Sequence, residues 1–122
     1  MSASDVVAVD LTSDERFLLR RGLAEWGGPA HSTDDLARAM GFRDQVDLYH
    51  GEGRRLREAL DRGEPLSRSQ WRKLLFSTEI VFASDVVGSG SDWSITTGLS
   101  DEETIKLLRV VQRKVARALR MS

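Results

Sequence analysis

A chain of 122 residues has the size of one domain and is long enough to bury a core without disulfides. It contains no cysteine, which excludes disulfides, thiol nucleophiles and thiolate metal sites and agrees with a reducing compartment. A formal net charge of −1 argues against binding of polyanions through the overall field of the molecule.

Residues 1–10 contain three valines without a turn or a helical period, so they are predicted to be a tail or at most one short strand, with no assigned role. They lack the features of a signal peptide, and no later run reaches transmembrane length. Arginine outnumbers lysine fifteen to three, which is typical of high-GC bacterial genomes. We therefore expect a cytoplasmic bacterial protein, with residues 11–122 forming a single helical domain.

The rest of the chain carries the signals of an all-α fold. Thr12 with Glu15 and Ser67 with Gln70 have the spacing of a capping box, which marks the start of a helix. Apolar residues follow these starts at spacings of three and four. The pattern predicts a compact bundle of about five helices, at residues 12–26, 33–40, 44–62, 68–87 and 101–120.

The third predicted helix contains two glycines, Gly51 and Gly53, and Gly53 lies on its apolar face. Glycine costs a helix about 1 kcal/mol relative to alanine. These glycines therefore predict a kink or the close approach of a neighbouring backbone, in preference to a ligand site.

The fourth predicted helix, 68–87, is the most apolar and is expected at the centre of the bundle. Successive side chains of a helix are rotated by about 100°, and on this helix the polar ones then occupy only a narrow strip. The strip consists of Gln70, Lys73, Ser77 and Ser84. The remaining side chains are predicted to contact protein.

Glu79 and Asp85 fall on arcs of this helix that are otherwise apolar, so both are candidate buried carboxylates. A buried carboxylate is costly unless it is paired or protonated, and neither has a basic residue three or four positions away. For Glu79 we expect an arginine of another helix or N–H groups of the segment 88–99 as partner. The alternative, a ligand-facing or acid–base pair, requires two side chains that point about 120° apart to share one pocket.

The segment 88–99 is rich in glycine, serine and threonine and lacks the ending of a phosphate-binding loop. It is predicted to be a connector held to the core by Trp93, Ile95 and Leu99. In the alternative interpretation it recognises a partner, with Trp93 as the aromatic anchor.

The last predicted helix has an apolar face and, nearly opposite, a basic one. The apolar face consists of Ile105, Leu108, Val111, Val115 and Leu119. The basic stripe consists of Lys106, Arg109, Arg113, Arg117 and Arg120. The stripe is interpreted as a solvated face that suits the helix dipole, or as a binding surface for an acidic protein or nucleic-acid phosphates.

Residues 33–50 resemble the first half of a helix-turn-helix, with Ala37 and Gly41 at the four-residue offset of that motif. The resemblance implies that a DNA-reading helix follows the turn. Asp44 and Asp47 depart from this pattern, because acids there repel phosphate. A plain helical hairpin within the core is the alternative.

Neither of the two histidines, His31 and His50, lies in a pattern typical of catalysis or metal binding. We therefore assign no catalytic, cofactor or metal residue. The leading hypothesis is a non-catalytic protein-interaction module, such as a small adaptor, regulator or immunity-type partner, which binds another protein or itself. The alternative is a nucleic-acid-binding regulator that uses residues 33–50 and the basic stripe.

Overall fold

The computed structural model describes residues 5–121, and these fold into the predicted all-α bundle. The helices are α1 (Ser13–Ala24), α2 (Asp34–Ala39), α3 (Gln45–Tyr49), α4 (Glu52–Arg62), α5 (Arg68–Ala83), α6 (Trp93–Thr97) and α7 (Asp101–Met121). The described residues also form two short antiparallel strands, β1 (Val6–Val7) and β2 (Leu66–Ser67), and two single-turn 3-10 helices, Glu25–Gly27 and Gly90–Asp92.

Helix α1 lies at the centre of the bundle and packs against α4, α5 and α7. It begins at the predicted capping box, in which Thr12 and Glu15 bond each other's backbone N–H groups. Leu18, Leu19 and Leu23 are fully buried on its inner side. The predicted central helix, α5, therefore shares the centre of the fold with α1.

The orientation of α5 differs from the predicted one. Ser77, expected in the exposed strip, is fully buried, whereas Phe76 is exposed. The hydroxyls of Ser77 and Thr78 donate to the carbonyl oxygen of Leu74, which satisfies them in the core. The small side chains on this face also let α1 approach closely, because Gly22 lies directly against Thr78.

Helix α5 ends at Ala83, earlier than predicted. Ser84 leaves the helical conformation with ψ 123°. Its Oγ accepts hydrogen bonds from the N–H groups of Val86 and Val87, at 3.2 and 3.1 Å. The apolar residues after Ala83 therefore belong to a turn and do not extend the helix.

The third predicted helix is divided into α3 and α4 at His50 and Gly51. A Cβ on Gly53 would lie only 1.7 Å from the carbonyl oxygen of Leu48. Both predicted roles of the glycines are therefore confirmed, since the helix breaks and a neighbouring backbone lies against it.

The N-terminal segment forms the short strand β1, which is one of the two predicted alternatives, and its contacts give it a structural role that the sequence did not assign. Val7 is buried and pairs with Leu66. Its carbonyl oxygen accepts a hydrogen bond of 2.7 Å from the indole Nε1 of Trp71. These contacts attach the segment to α5.

Helix α7 packs Leu108, Val111 and Val115 inward as predicted, but Ile105 is exposed. Thr104 takes the inward position one residue earlier, because its Oγ1 accepts a hydrogen bond from the buried indole of Trp93. Within residues 5–121, no helix combines the length and apolar character needed to cross a membrane.

Candidate functional site

All five residues of the basic stripe are exposed on the outer face of α7. Two have partners: Lys106 forms an ion pair with Glu102 at 3.4 Å, and Arg109 donates to Gln112 Oε1 at 3.0 Å. The other three form no hydrogen bond or ion pair with any described residue. These three are Arg113, Arg117 and Arg120. Their guanidinium groups remain available to an anionic partner.

An open groove of about 430 Å³ runs between α7 and the segment 8–10 that follows β1. Its apolar lining includes Ala8, Val9, Val110, Ala118 and Met121. Its polar lining consists of Asp10, Arg113, Lys114 and Arg117. The groove, which we call the α7 groove, thus combines exposed apolar surface with two arginines of the stripe.

Lys114 differs from its neighbours on α7, because its charge is already paired. Its Nζ donates to the buried Glu15 at 2.7 Å and to the carbonyl oxygen of Asp10 at 2.8 Å. Burial by itself raises the pKa of Glu15, but the hydrogen bonds from Lys114 and Thr12 outweigh it and hold this pKa below its usual value. Lys114 therefore ties α7 to α1 and the N-terminal segment.

Glu79 is half-buried and accepts a hydrogen bond of 2.6 Å from Gln112 Nε2 of α7. Its partner thus comes from another helix, as predicted, but it is an amide, whereas an arginine or loop N–H groups had been expected. Gln112 also accepts from Arg109. The chain of three side chains connects the basic stripe to α5.

Asp85 is exposed, so its prediction as a buried carboxylate is wrong. The physical reason is that α5 ends before it, and the helical angle used to place it no longer applies. It lines an open polar depression of about 730 Å³ together with His31, Asp92 and Asp101. No group of His, Asp and Glu side chains with the arrangement of a metal site occurs in the described part of the chain.

Trp93 is fully buried and does not serve as an exposed aromatic anchor, which corrects that interpretation. Its Nε1 donates to Thr104 Oγ1 at 2.7 Å, and its ring meets Phe82 edge to face. Trp93 therefore holds the segment 88–99 to the core, whereas Ile95 of the same segment is exposed.

The carboxylate that this segment binds is Glu25, which the sequence interpretation missed. Glu25 is buried and pairs with Arg21 at 3.0 Å. It also accepts hydrogen bonds from the hydroxyls of Ser89 and Thr96. These hydroxyls lie 64 and 71 residues away in the chain, so no local pattern indicated the contact. The network fastens the connector to α1.

A second missed acid is Asp47, which lies in the region that resembles a helix-turn-helix. It is buried and accepts hydrogen bonds from the backbone N–H groups of Arg43 and Glu52. Burial by itself raises the pKa of Asp47, but the hydrogen bonds from these N–H groups lower it by more. The pKa of Asp47 therefore lies below its usual value. Asp44 caps α3, which has only five residues. Both acids thus stabilise the turn, and α3 is short for a groove-reading helix.

The fold and the surface define a small all-α domain with an arginine-rich helix face beside an apolar groove. Comparisons with protein-family models, with curated proteins and with solved structures find no match to this chain.

Proposed function

We propose that this protein is a non-catalytic interaction module of the bacterial cytoplasm, a small adaptor, regulator or immunity-type partner that binds an acidic protein through α7. The observation that carries the proposal is a set of three exposed arginines on α7 that form no hydrogen bond or ion pair with any described residue, namely Arg113, Arg117 and Arg120. The first two of them line the α7 groove. Arginine and methionine are both enriched in protein interfaces relative to the rest of the protein surface, and Met121 lines the same groove.

A protein partner accounts for the apolar side chains of this surface better than a nucleic acid does. Val110 is 40% exposed and Met121 is 81% exposed, both along the α7 groove. Phosphate backbones are bound mainly by cations and hydrogen-bond donors, and they offer apolar side chains little to contact. An acidic protein surface with apolar residues would match both components.

The proposal predicts that Arg113→Glu/Arg117→Glu abolishes partner binding, since two attractive charges become repulsive. Tagged wild-type protein should recover a stoichiometric acidic companion from its native lysate, and the double variant should not. The affinity for that companion, measured by titration, should fall by more than about tenfold. Helical circular dichroism should be unchanged, because both side chains are exposed.

A matched control is Arg55→Glu/Arg72→Glu, which makes the same charge change at exposed positions of α4 and α5. This control should recover the companion as the wild type does. Equal recovery by both double variants would contradict a role for the α7 surface.

The alternative function, nucleic-acid binding, uses the same basic stripe. The salt dependence of the affinity distinguishes it from protein binding. If duplex DNA is the ligand, the logarithm of the affinity should fall linearly with the logarithm of salt, by about 0.9 per phosphate contact. Steep DNA binding that Arg109→Glu/Arg113→Glu/Arg117→Glu abolishes would replace the protein-partner proposal.

A further inference from the structure

The charge of this molecule is unevenly distributed along its last fifty residues. Residues 74–105 contain no lysine or arginine and six acids. The acids are Glu79, Asp85, Asp92, Asp101, Glu102 and Glu103. The segment 85–103, which we call the acidic segment, holds five of them, and all five are exposed. It is thus the electrostatic counterpart of the α7 groove.

The acidic segment also contains apolar side chains that are exposed to solvent. Val86 is 89% exposed and Ile95 is 79% exposed. The α7 groove shows the same combination with the opposite charge, since Val110 and Met121 lie beside Arg113 and Arg117. Two surfaces that match in both apolar content and charge are complementary in the manner of protein interfaces.

The two surfaces lie near opposite ends of α1 in one molecule. Ser89 and Thr96 of the acidic segment donate to Glu25, which follows the last residue of α1, whereas Lys114 of the groove donates to Glu15 in its first turn. Ten helical residues separate the two acids by about 15 Å, because each residue adds about 1.5 Å. A contact between the acidic segment and the groove therefore involves a second molecule.

We infer that the α7 groove binds the acidic segment of a second copy of this chain, head to tail. In this arrangement Arg113 and Arg117 face Asp85 and Asp92 of the second copy, and the exposed apolar side chains cover one another. The inference rests on the proposed function, because it names the partner that the same surface binds.

A head-to-tail contact uses different surfaces on the two copies, so each bound copy still offers one free groove or segment. Association should therefore continue beyond two chains as the concentration rises, or close into a ring. Because the paired charges are exposed, association should weaken as salt shortens the screening length.

The test uses the purified full-length chain and light scattering or sedimentation at low salt. The mass-average molecular mass of the wild type should rise with concentration above the 13.6 kDa of one chain. The groove variant Arg113→Glu/Arg117→Glu and the segment variant Asp85→Arg/Asp92→Arg should each remain monomeric. Mixing them should restore association, since the intact groove of one meets the intact segment of the other.

Two further variants test whether the exposed apolar side chains contribute to association and whether charge changes elsewhere affect it. Val86→Ser/Ile95→Ser removes only exposed apolar groups and should weaken association without a change of charge. Arg55→Glu/Arg72→Glu should associate as the wild type does. Circular dichroism checks that each variant remains helical.

A wild type that stays monomeric at every concentration in low salt would overturn the inference, as would a mixture of variants that stays monomeric. The proposed function fails differently, when neither a second copy of the chain nor any acidic companion from the lysate depends on Arg113 and Arg117 for binding. A monomeric wild type that still binds such a companion would overturn the inference alone.

Discussion

At the scale of single residues, the buried acids show how this fold stabilises charge away from water. Glu15 pairs with a lysine, Glu25 with an arginine and two hydroxyls, and Asp47 with backbone N–H groups. Each solution supplies hydrogen bonds that offset the loss of solvation. Among the described residues, the buried carboxylates are these three acids and not Glu79 and Asp85, the pair proposed from the sequence.

Asp47 makes stability depend on pH. Because its pKa is lowered in the folded state, its contribution is present above the unfolded pKa of about 3.9 and is lost as the pH falls through the folded pKa. The change Asp47→Asn should therefore destabilise the protein by about 1–3 kcal/mol near neutral pH and flatten the loss of stability in acid. Urea unfolding at a series of pH values measures both effects.

The control for this prediction is Asp14→Asn, a change at an exposed acid in the first turn of α1. It should lower stability by less than about 1 kcal/mol. An Asp47→Asn variant with the acid sensitivity of the wild type would show that this carboxylate does not control the transition.

At the scale of elements, the break between α3 and α4 is enforced by close backbone packing. The chain turns at Gly51, where φ is −95° and ψ is −111°, and α4 then starts against the end of α3. Gly53 makes the approach possible, because no side chain stands between it and the Leu48 carbonyl oxygen.

The change Gly53→Ala is therefore expected to destabilise the protein, although alanine favours helices by about 1 kcal/mol over glycine. Its Cβ would lie 1.7 Å from a backbone oxygen, so the two segments must separate. Such overpacking typically costs about 1–3 kcal/mol, which thermal or urea unfolding resolves. The control Arg55→Ala places an alanine at an exposed position of the same helix and should change stability by less than about 0.5 kcal/mol.

At the scale of the whole molecule, the N-terminal segment joins parts of the chain that are distant in sequence. It pairs with β2, accepts the indole hydrogen bond of Trp71 and is held by Lys114 of α7. It also forms one wall of the α7 groove. The candidate interaction surface thus depends on this segment as well as on α7.

Val7→Ala should cost about 1–2 kcal/mol of unfolding free energy, from two buried methylene equivalents and the cavity they leave. Val6→Ala is the matched control, because the neighbouring side chain is exposed, and it should cost less than half as much. Equal losses in urea unfolding would indicate that β1 contributes only through its backbone.

The sequence by itself determined the helical class and several helix starts, because caps and apolar periodicity act within a few residues. Thr12 and Ser67 form the predicted capping boxes, and Ser100 and Glu103 bond each other's backbone N–H groups. The exposure of the basic stripe followed from the same periodicity, since charged side chains remain on the face opposite the core.

Only the tertiary structure decided which side of α5 is buried, where α5 ends and which carboxylates find partners. Glu25 has one local partner, Arg21, but its two hydroxyl donors lie 64 and 71 residues away. The amide donor to Glu79 lies 33 residues away, so these contacts are beyond the reach of any local pattern. The buried indole of Trp93 donates to Thr104 of another helix, and residues 8–10 form one side of the α7 groove. Local hydrogen bonding determines where helices form, whereas contacts between distant segments determine which side chains are buried. The α7 groove arises from such distant contacts.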